Sequence, residues 1–205
     1  MNNKTYINPK EYETHLKSGL KRLADMETWT SKDLLDLKKL IYPVNAHITY
    51  LIGEQFLKSV SIRLEEVNFQ YSNMYDNGFD IEIENYNGRH IIAEIKGNIP
   101  VEANGDKYGA QQKEGIKKDI EGLINGKTKS KVFKNKEALK DAVKFLILLE
   151  NNRNAFSTLK NNLCQCRGKK EAVYNDDNFF VVDKIENYTI DSFKTNCINV
   201  VFIEL

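Results

Sequence analysis

The sequence is poor in the residues that build covalent or metal-held scaffolds. It has three cysteines in 205 residues, two of them close together at Cys164 and Cys166. Three thiols give no disulfide framework and too few ligands at zinc spacing, so reduced cysteines in a cytoplasmic protein are expected. No apolar run approaches the ~20 residues of a membrane span, and the polar start at residues 1–5 predicts no signal peptide. We therefore expect no membrane partner.

Proline is also scarce, with three residues, and neither an internal repeat nor a Pro/Ser-rich linker divides the chain. A length of 205 residues and a hydrophobic content of 41% suit one domain with a substantial core. The formal net charge of +1 does not by itself indicate a nucleic-acid partner. The distribution of charge along the chain is more informative.

The most regular stretch is residues 78–97, where polar and apolar residues alternate on both sides of a turn signal at Asn87-Gly88. Alternation of this kind predicts a half-buried β-hairpin. Two registers are compatible with it. A two-residue turn puts Asp80 and Glu94 on opposite faces of the hairpin. A three-residue loop, with Gly88 as a bulge, sets the two acids directly opposite each other.

The three-residue loop, from Tyr86 to Gly88, is the preferred register because it sorts every other side chain. It pairs Asn85 with Arg89, and a slip by one residue would mix the apolar and polar sets, which burial of one face forbids. In this register the apolar face consists of Ile81, Ile83, Ile91, Ala93 and Ile95. The polar face consists of Asp80, Glu82, Glu84, His90, Glu94 and Lys96.

Asp80 and Glu94 then lie side by side, with Lys96 two residues further on the same face. Two carboxylates at this distance repel each other unless a cation or a proton lies between them. Oxygen ligands without a nearby cysteine suit a hard ion, Mg²⁺ or Mn²⁺, and a lysine beside them can activate water. These are the parts for metal-assisted hydrolysis of a phosphodiester. The alternative is a solvated hairpin face on which charged residues simply alternate with core residues.

Asp80 followed by Glu94-Ile95-Lys96 at the end of the next strand resembles the PD-(D/E)xK signature of restriction-endonuclease-like nucleases. The resemblance covers roughly residues 45–150 and implies an α/β fold, a mixed β-sheet flanked by helices. It implies that Asp80 and Glu94 bind the divalent ion, joined by the carbonyl of Ile95. It also implies that Lys96 serves the attacking water.

The resemblance further implies a supplementary metal ligand on the helix before the hairpin, and Glu54 fits by position. A solvent-facing glutamate is the alternative. Gly78-Phe79 replaces the proline that often precedes the aspartate in the family. Some members carry a glutamine followed four residues later by a tyrosine on the next helix. Ile116 stands at that place after Gln112, so the match to this subgroup fails.

Helical periodicity and apolar runs predict the other elements. Two helices with a break near Trp29 occupy residues 1–40, with an N-cap at Thr30 and an acid, Asp33, in the first turn. The run at 143–149 predicts a central strand covered on both faces and joined to the hairpin by a helical crossover. The remaining predictions are helices at 44–60, 111–124 and 154–163, strands at 179–182 and 198–203, and a short strand or loop between 67 and 77.

The stretch from Lys107 to Lys140 is the most basic part of the chain, with ten lysines against four acidic residues. A run of charge is usually a solvated face. An excess of six positive charges just after a candidate phosphodiesterase centre favours contact with a nucleic-acid backbone. The residues predicted to bind nucleic acid are Gln111, Gln112, Lys113, Lys117, Lys127, Lys129 and Lys131.

Together these features predict one nuclease-like domain over residues 1–205, with a helical extension at 1–42, a catalytic core at 43–150 and a C-terminal completion of the sheet at 151–205. The expected activity is Mg²⁺-dependent hydrolysis of DNA by a type II restriction enzyme that acts as a homodimer on double-stranded DNA. A DNA repair or junction-resolving nuclease is one alternative. A non-catalytic nucleic-acid-binding module with the same fold is the other.

Overall fold

The computed structural model describes residues 9–64, 67, 78–100, 102, 106–130, 132–165 and 174–205. Within these residues one mixed sheet is built from β1 (Ile81–Tyr86), β2 (Arg89–Lys96), β3 (Ala142–Leu149), β4 (Phe179–Val181) and β5 (Ile198–Ile203). Its spatial order is β1-β2-β3-β5-β4, with β1 antiparallel to β2 and every other neighbouring pair parallel. Of the short strand or loop predicted between 67 and 77, residues 68–77 lie outside the described residues.

Five α-helices accompany the sheet in the described part of the chain: α1 (Pro9–Ala24), α2 (Ser31–Ile41), α3 (Val44–Ser59), α4 (Ala110–Asn125) and α5 (Arg153–Cys164). Helix α3 packs against the apolar face of the hairpin, whereas α4 and α5 share a second core on the other face of the sheet. The predicted α/β class, a mixed β-sheet flanked by helices, is confirmed. None of these helices has the length and apolar composition needed to cross a membrane.

The break between α1 and α2 lies where the sequence predicts it. The backbone N–H of Asp33 donates to the hydroxyl of Thr30 at 3.3 Å, and the N–H of Thr30 donates to the Asp33 carboxylate at 2.8 Å. This reciprocal pair satisfies donors that the first turn of a helix leaves without partners, so the capping residues define the start of α2.

Strand β3 is the centre of the sheet, as its continuous apolar run predicts. Every residue from Ala142 to Leu148 is buried, because β2 and β5 flank the strand and helices cover both faces. Strands β2 and β3 are parallel and are connected through α4, which confirms the predicted helical crossover. The crossover brings α4 over the hairpin face that carries Glu94.

The hairpin has the register that the facing acids require. Ile81 pairs with Ala93, and the pairing runs without interruption to Ile83 opposite Ile91. Extending the same register by one residue sets Asp80 opposite Glu94. The five residues predicted for the apolar face all belong to the core under α3.

The predicted three-residue loop, however, is wrong. Tyr86 pairs with Arg89 across a two-residue turn in which Asn87 and Gly88 both have positive φ, 52° and 82°. Two left-handed residues in succession are the geometry of a type I′ turn, which matches the twist of the flanking strands. The register shifts instead inside β1, between Ile83 and Tyr86. A bulge within the strand therefore provides the offset that the sequence pattern assigned to the turn.

Candidate active site

Asp80 and Glu94 lie on the side of the hairpin that α4 covers. The Asp80 carboxylate accepts the backbone N–H of Ile95 at 2.7 Å, which holds the side chain against β2. Glu94 is 3% exposed, although it sits on the face predicted to be polar. The face is polar in composition but is not a solvated surface. Its residue Ile92 belongs to the second core, and α4 packs over it.

Lys96 contacts Asp119, which is not among the predicted site residues. Its ammonium lies 2.6 Å from the Asp119 carboxylate of α4, which is itself 8% exposed. Asp119 stands directly before Ile120 and three residues after Ile116, so it falls within the buried stripe of α4. A charged residue inside an apolar stripe was the signal that could have found it.

Lys127 is the second lysine at this site. Its ammonium lies 2.5 Å from Glu94 Oε1, donates a hydrogen bond to the carbonyl of Gly78 at 3.1 Å, and is 4.0 Å from Asp119 Oδ1. The sequence places Lys127 among the residues that contact nucleic acid. The structure places it inside what we call the charged cluster, which consists of Asp80, Glu94, Lys96, Asp119 and Lys127.

The conformation of the loop after α4 places Lys127 at the charged cluster. Gly126 follows the helix with φ +86°, and the N–H of Lys127 then donates to the carbonyl of Phe133 at 3.1 Å. Ser130 ties the loop to the hairpin, since its hydroxyl donates to the Glu82 carboxylate at 3.0 Å. The loop therefore returns across α4 in a defined conformation, and Lys127 points back to β2.

Replacing Gly126 with alanine should destabilise the protein. A Cβ atom there would lie 2.5 Å from the backbone nitrogen of Asn135, and φ +86° is strained for any residue with a side chain. Such strain costs about 1–3 kcal/mol, and each kcal/mol lowers the melting temperature of a chain of this size by about 2–4 °C. Thermal unfolding measures the effect.

The control is Gly115→Ala in the middle of α4, where an added Cβ meets nothing within 4 Å. Alanine is the better helix former by about 1 kcal/mol, so this variant should melt above the wild type. If Gly126→Ala melts at the wild-type temperature, the loop does not depend on the left-handed conformation.

The electrostatics of the charged cluster follow from its burial. Burial raises the pKa of Asp80, since the Ile95 N–H and the nearby lysines offset only part of the lost hydration. Burial, with repulsion from Asp80 and Asp119, raises the pKa of Glu94 well above its usual range. Burial alone would lower the pKa of Lys96, but the three carboxylates outweigh it and the pKa is raised.

With every group ionised, the charged cluster has three negative and two positive charges. One further positive charge, as a proton or a cation, would neutralise it. Its donors are carboxylate oxygens, which fit a hard divalent ion such as Mg²⁺. Glu94 Oε1 is buried, and the Lys127 ammonium lies 2.5 Å from it. No three His, Cys, Asp or Glu side chains of the described residues converge as a ready metal group, so the candidate set is the facing pair.

Glu54 is not part of this arrangement. Its carboxylate lies 3.3 Å from the ammonium of Lys58 one turn further along α3. That helix packs against the hairpin face opposite to Glu94. The structure pairs Glu54 with Lys58, and the supplementary ligand from α3 stays a prediction.

The predicted nucleic-acid-binding residues divide into two groups. Gln112 links two segments of the chain, because its carboxamide accepts the N–H of Gly109 at 2.9 Å and donates to the carbonyl of Ile99 at 2.8 Å. The ammonium of Lys113 lies 3.9 Å from Glu102. Three further residues have at least part of their surface open to solvent: Gln111, Lys117 and Lys129. Lys127 belongs to the charged cluster, and Lys131 lies outside the described residues.

The chain matches no protein-family model, no curated protein and no solved structure.

Proposed function

We propose that this protein is a Mg²⁺-dependent endonuclease that hydrolyses DNA phosphodiester bonds and has a restriction-endonuclease-like fold. The observation that carries the proposal is the hairpin register, which sets Asp80 opposite Glu94 with Lys96 on the same side. The mixed sheet flanked by helices supports it. A solvated face of alternating charges is the weaker explanation, because Glu94 and Asp119 are buried and a purely structural face would have no reason to bury them.

Asp80 and Glu94 are the residues that would hold Mg²⁺, or Mn²⁺ in its place, and the carbonyl of Ile95 completes the set implied by the signature. When bound, the ion supplies Lewis acidity and lowers the pKa of a coordinated water. Asp80 is already fixed by the N–H of Ile95. The ligand atoms of Asp80 and Glu94 are therefore oriented by the hairpin itself, which limits the reorganisation that metal binding requires.

Lys96 is the proposed catalytic residue for the water and for the charge that develops on the phosphoryl oxygens. Asp119 is a positioning residue. Its contact with the Lys96 ammonium at 2.6 Å holds the side chain in place and favours the protonated state. A protonated lysine acts by orienting water and by stabilising negative charge rather than by accepting a proton.

DNA is the proposed substrate because an excess of lysine follows the site along α4 and its loop. Lys117 on α4 and Lys129 in the loop are the candidate phosphate contacts among the described residues. Such contacts position a duplex without specifying its sequence. Cutting both strands of double-stranded DNA requires two centres, which favours a homodimer, as in a type II restriction enzyme.

Incubation of supercoiled plasmid with the purified protein tests the proposal. The wild type should nick or linearise the plasmid with Mg²⁺ and lose this activity with chelator. Asp80→Asn should reduce cleavage to the chelator level. Glu84→Gln, an exposed position on the same hairpin, should cleave like the wild type. Cleavage that Asp80→Asn leaves unchanged would contradict the assignment, and sequencing of the fragment ends would separate site-specific cutting from cutting at branched structures.

A further inference from the structure

The roles proposed for the facing pair do not account for Lys127. Its ammonium is held by two oxygens from different segments, Glu94 Oε1 at 2.5 Å and the carbonyl of Gly78 at 3.1 Å. It also lies 5.2 Å from the centre of the Phe79 ring. A lysine with three such contacts is in a defined position, unlike a solvated lysine that samples many rotamers.

The packing of the Lys127 stem supports the same conclusion. The aliphatic carbons cross α4 at Gly122, where an added Cβ would lie 2.9 Å from Lys127 Cε. A Cβ atom at this position would push the end of the lysine stem away from the helix. Gly122 in α4, Gly126 in the following loop and the contact from Ser130 to Glu82 of the hairpin together restrict the position of the Lys127 side chain.

We propose that Lys127 is a built-in competitor of the divalent ion: its ammonium takes the cation position at Glu94 and must leave that carboxylate when metal binds. This inference rests on the proposed function, because it takes Glu94 as a metal ligand. An ammonium and a divalent ion that share the Glu94 carboxylate repel each other, most strongly when both lie at Oε1, where the ammonium is 2.5 Å away.

The structure also offers the displaced ammonium a second acceptor. Asp119 Oδ1 is 4.0 Å away on α4, so a small rotation of the side chain carries Lys127 from Glu94 to Asp119. The lysine would then remain beside the site while the facing pair is free. Lys127 thereby neutralises buried carboxylates in the absence of metal, and it raises the concentration of metal needed to load the site.

Mn²⁺ binding to chelator-treated protein, followed by electron paramagnetic resonance, tests the inference without relying on activity. Lys127→Met should bind Mn²⁺ about tenfold more tightly than the wild type, which corresponds to about 1.4 kcal/mol. Lys134→Met removes the same charge from an exposed position in the same loop and should not change the affinity. Lys96→Met removes a charge that contacts Asp119 instead of Glu94, so its effect should be smaller than that of Lys127→Met.

Equal tightening by Lys96→Met and Lys127→Met would reduce the effect to general electrostatics and overturn the inference. So would a Lys127→Met protein that binds Mn²⁺ no more tightly than the wild type. If the wild type binds Mn²⁺ and Glu94→Gln abolishes that binding, an unchanged affinity of Lys127→Met removes only the role of Lys127 and leaves the metal site in place. If neither the wild type nor Lys127→Met binds Mn²⁺, the proposed metal site fails as well.

The wild-type protein provides a test that does not depend on the folding of Lys127→Met. A paired, half-buried ammonium exchanges its protons slowly enough to give a side-chain ¹⁵N signal, which Lys127→Arg would assign by its absence. Saturating Mg²⁺ should shift or broaden this signal. A signal that stays unchanged when Mg²⁺ is bound would show that the ammonium does not leave Glu94.

Discussion

Lys96→Met should lower the rate of DNA cleavage about 10²–10³-fold at saturating Mg²⁺, the range lost when one preorganised donor to a developing negative charge is removed. The Lys96 ammonium contacts Asp119, 2.6 Å away, and is not the lysine that contacts Glu94. Its removal therefore takes away charge stabilisation and water orientation but leaves the facing pair in place. Single-turnover cleavage and Mg²⁺ titration by calorimetry, measured on the same protein, should show a loss of rate without a loss of binding.

The matched control is Lys58→Met, which removes an exposed lysine on the other side of the sheet and should cleave like the wild type. Asp119→Asn separates positioning from catalysis. Asp119 is the main partner that raises the pKa of Lys96, so this variant lowers that pKa and should move the alkaline limb of the pH–rate profile to lower pH. A Lys96→Met enzyme that retains most of the wild-type rate would remove Lys96 from the mechanism.

Glu94→Gln should raise the thermal stability of the protein in chelator at neutral pH, although it removes a proposed metal ligand. Burial and two neighbouring carboxylates raise the pKa of Glu94 in the folded state above its unfolded value, which is about 4.3. The folded state therefore holds this proton more tightly than the unfolded state. The stability that results is complete below the unfolded pKa and is lost as pH rises through the folded pKa.

Glutamine has no proton to lose, so the melting temperature of the variant should exceed that of the wild type at pH values above the unfolded pKa of Glu94, and the difference should be complete above the folded pKa. The difference should shrink as pH falls towards 4, where the wild type is protonated in both states. Each kcal/mol relieved corresponds to about 2–4 °C. Mg²⁺ should reverse the order at neutral pH, because it stabilises only the protein that binds it.

Differential scanning fluorimetry across pH, with chelator and with Mg²⁺, measures both effects. Glu84→Gln makes the same chemical change at an exposed hairpin position and should leave the melting temperature unaltered. A Glu94→Gln protein that melts below the wild type at every pH would show that the ion pair with Lys127 outweighs the cost of burying the carboxylate.

The regular elements were predictable because each depends on local pattern. Thr30 and Asp33 form the capping box that starts α2, and the apolar run in β3 is as buried as its composition implies. The sorting of hairpin side chains was predictable for the same reason, since a strand repeats every two residues. The position of the bulge was not predictable, because an extra residue in the turn and an extra residue inside β1 place the side chains near Asp80 on the same faces.

The charged cluster was predictable only in part. Asp80, Glu94 and Lys96 lie on one hairpin, so register alone brings them to one side. Asp119 and Lys127 reach them from α4 and its loop. The position of Asp119 in the apolar stripe of α4 indicates that it is buried, but no local pattern encodes its contact with Lys96 or that of Lys127 with Glu94. In the sequence Lys127 resembles any other lysine of a basic stretch, and Gln112 resembles a polar residue free to meet a substrate.

The sequence by itself determined which side chains of the hairpin share a face and which strand is central, because alternation and continuous apolarity are properties of a single segment. The tertiary structure alone decided that the polar face is covered by α4, and that two lysines lie among three carboxylates there. The physical reason is distance: charges from separate segments influence one another only after packing has brought them within a few ångströms and removed the water between them.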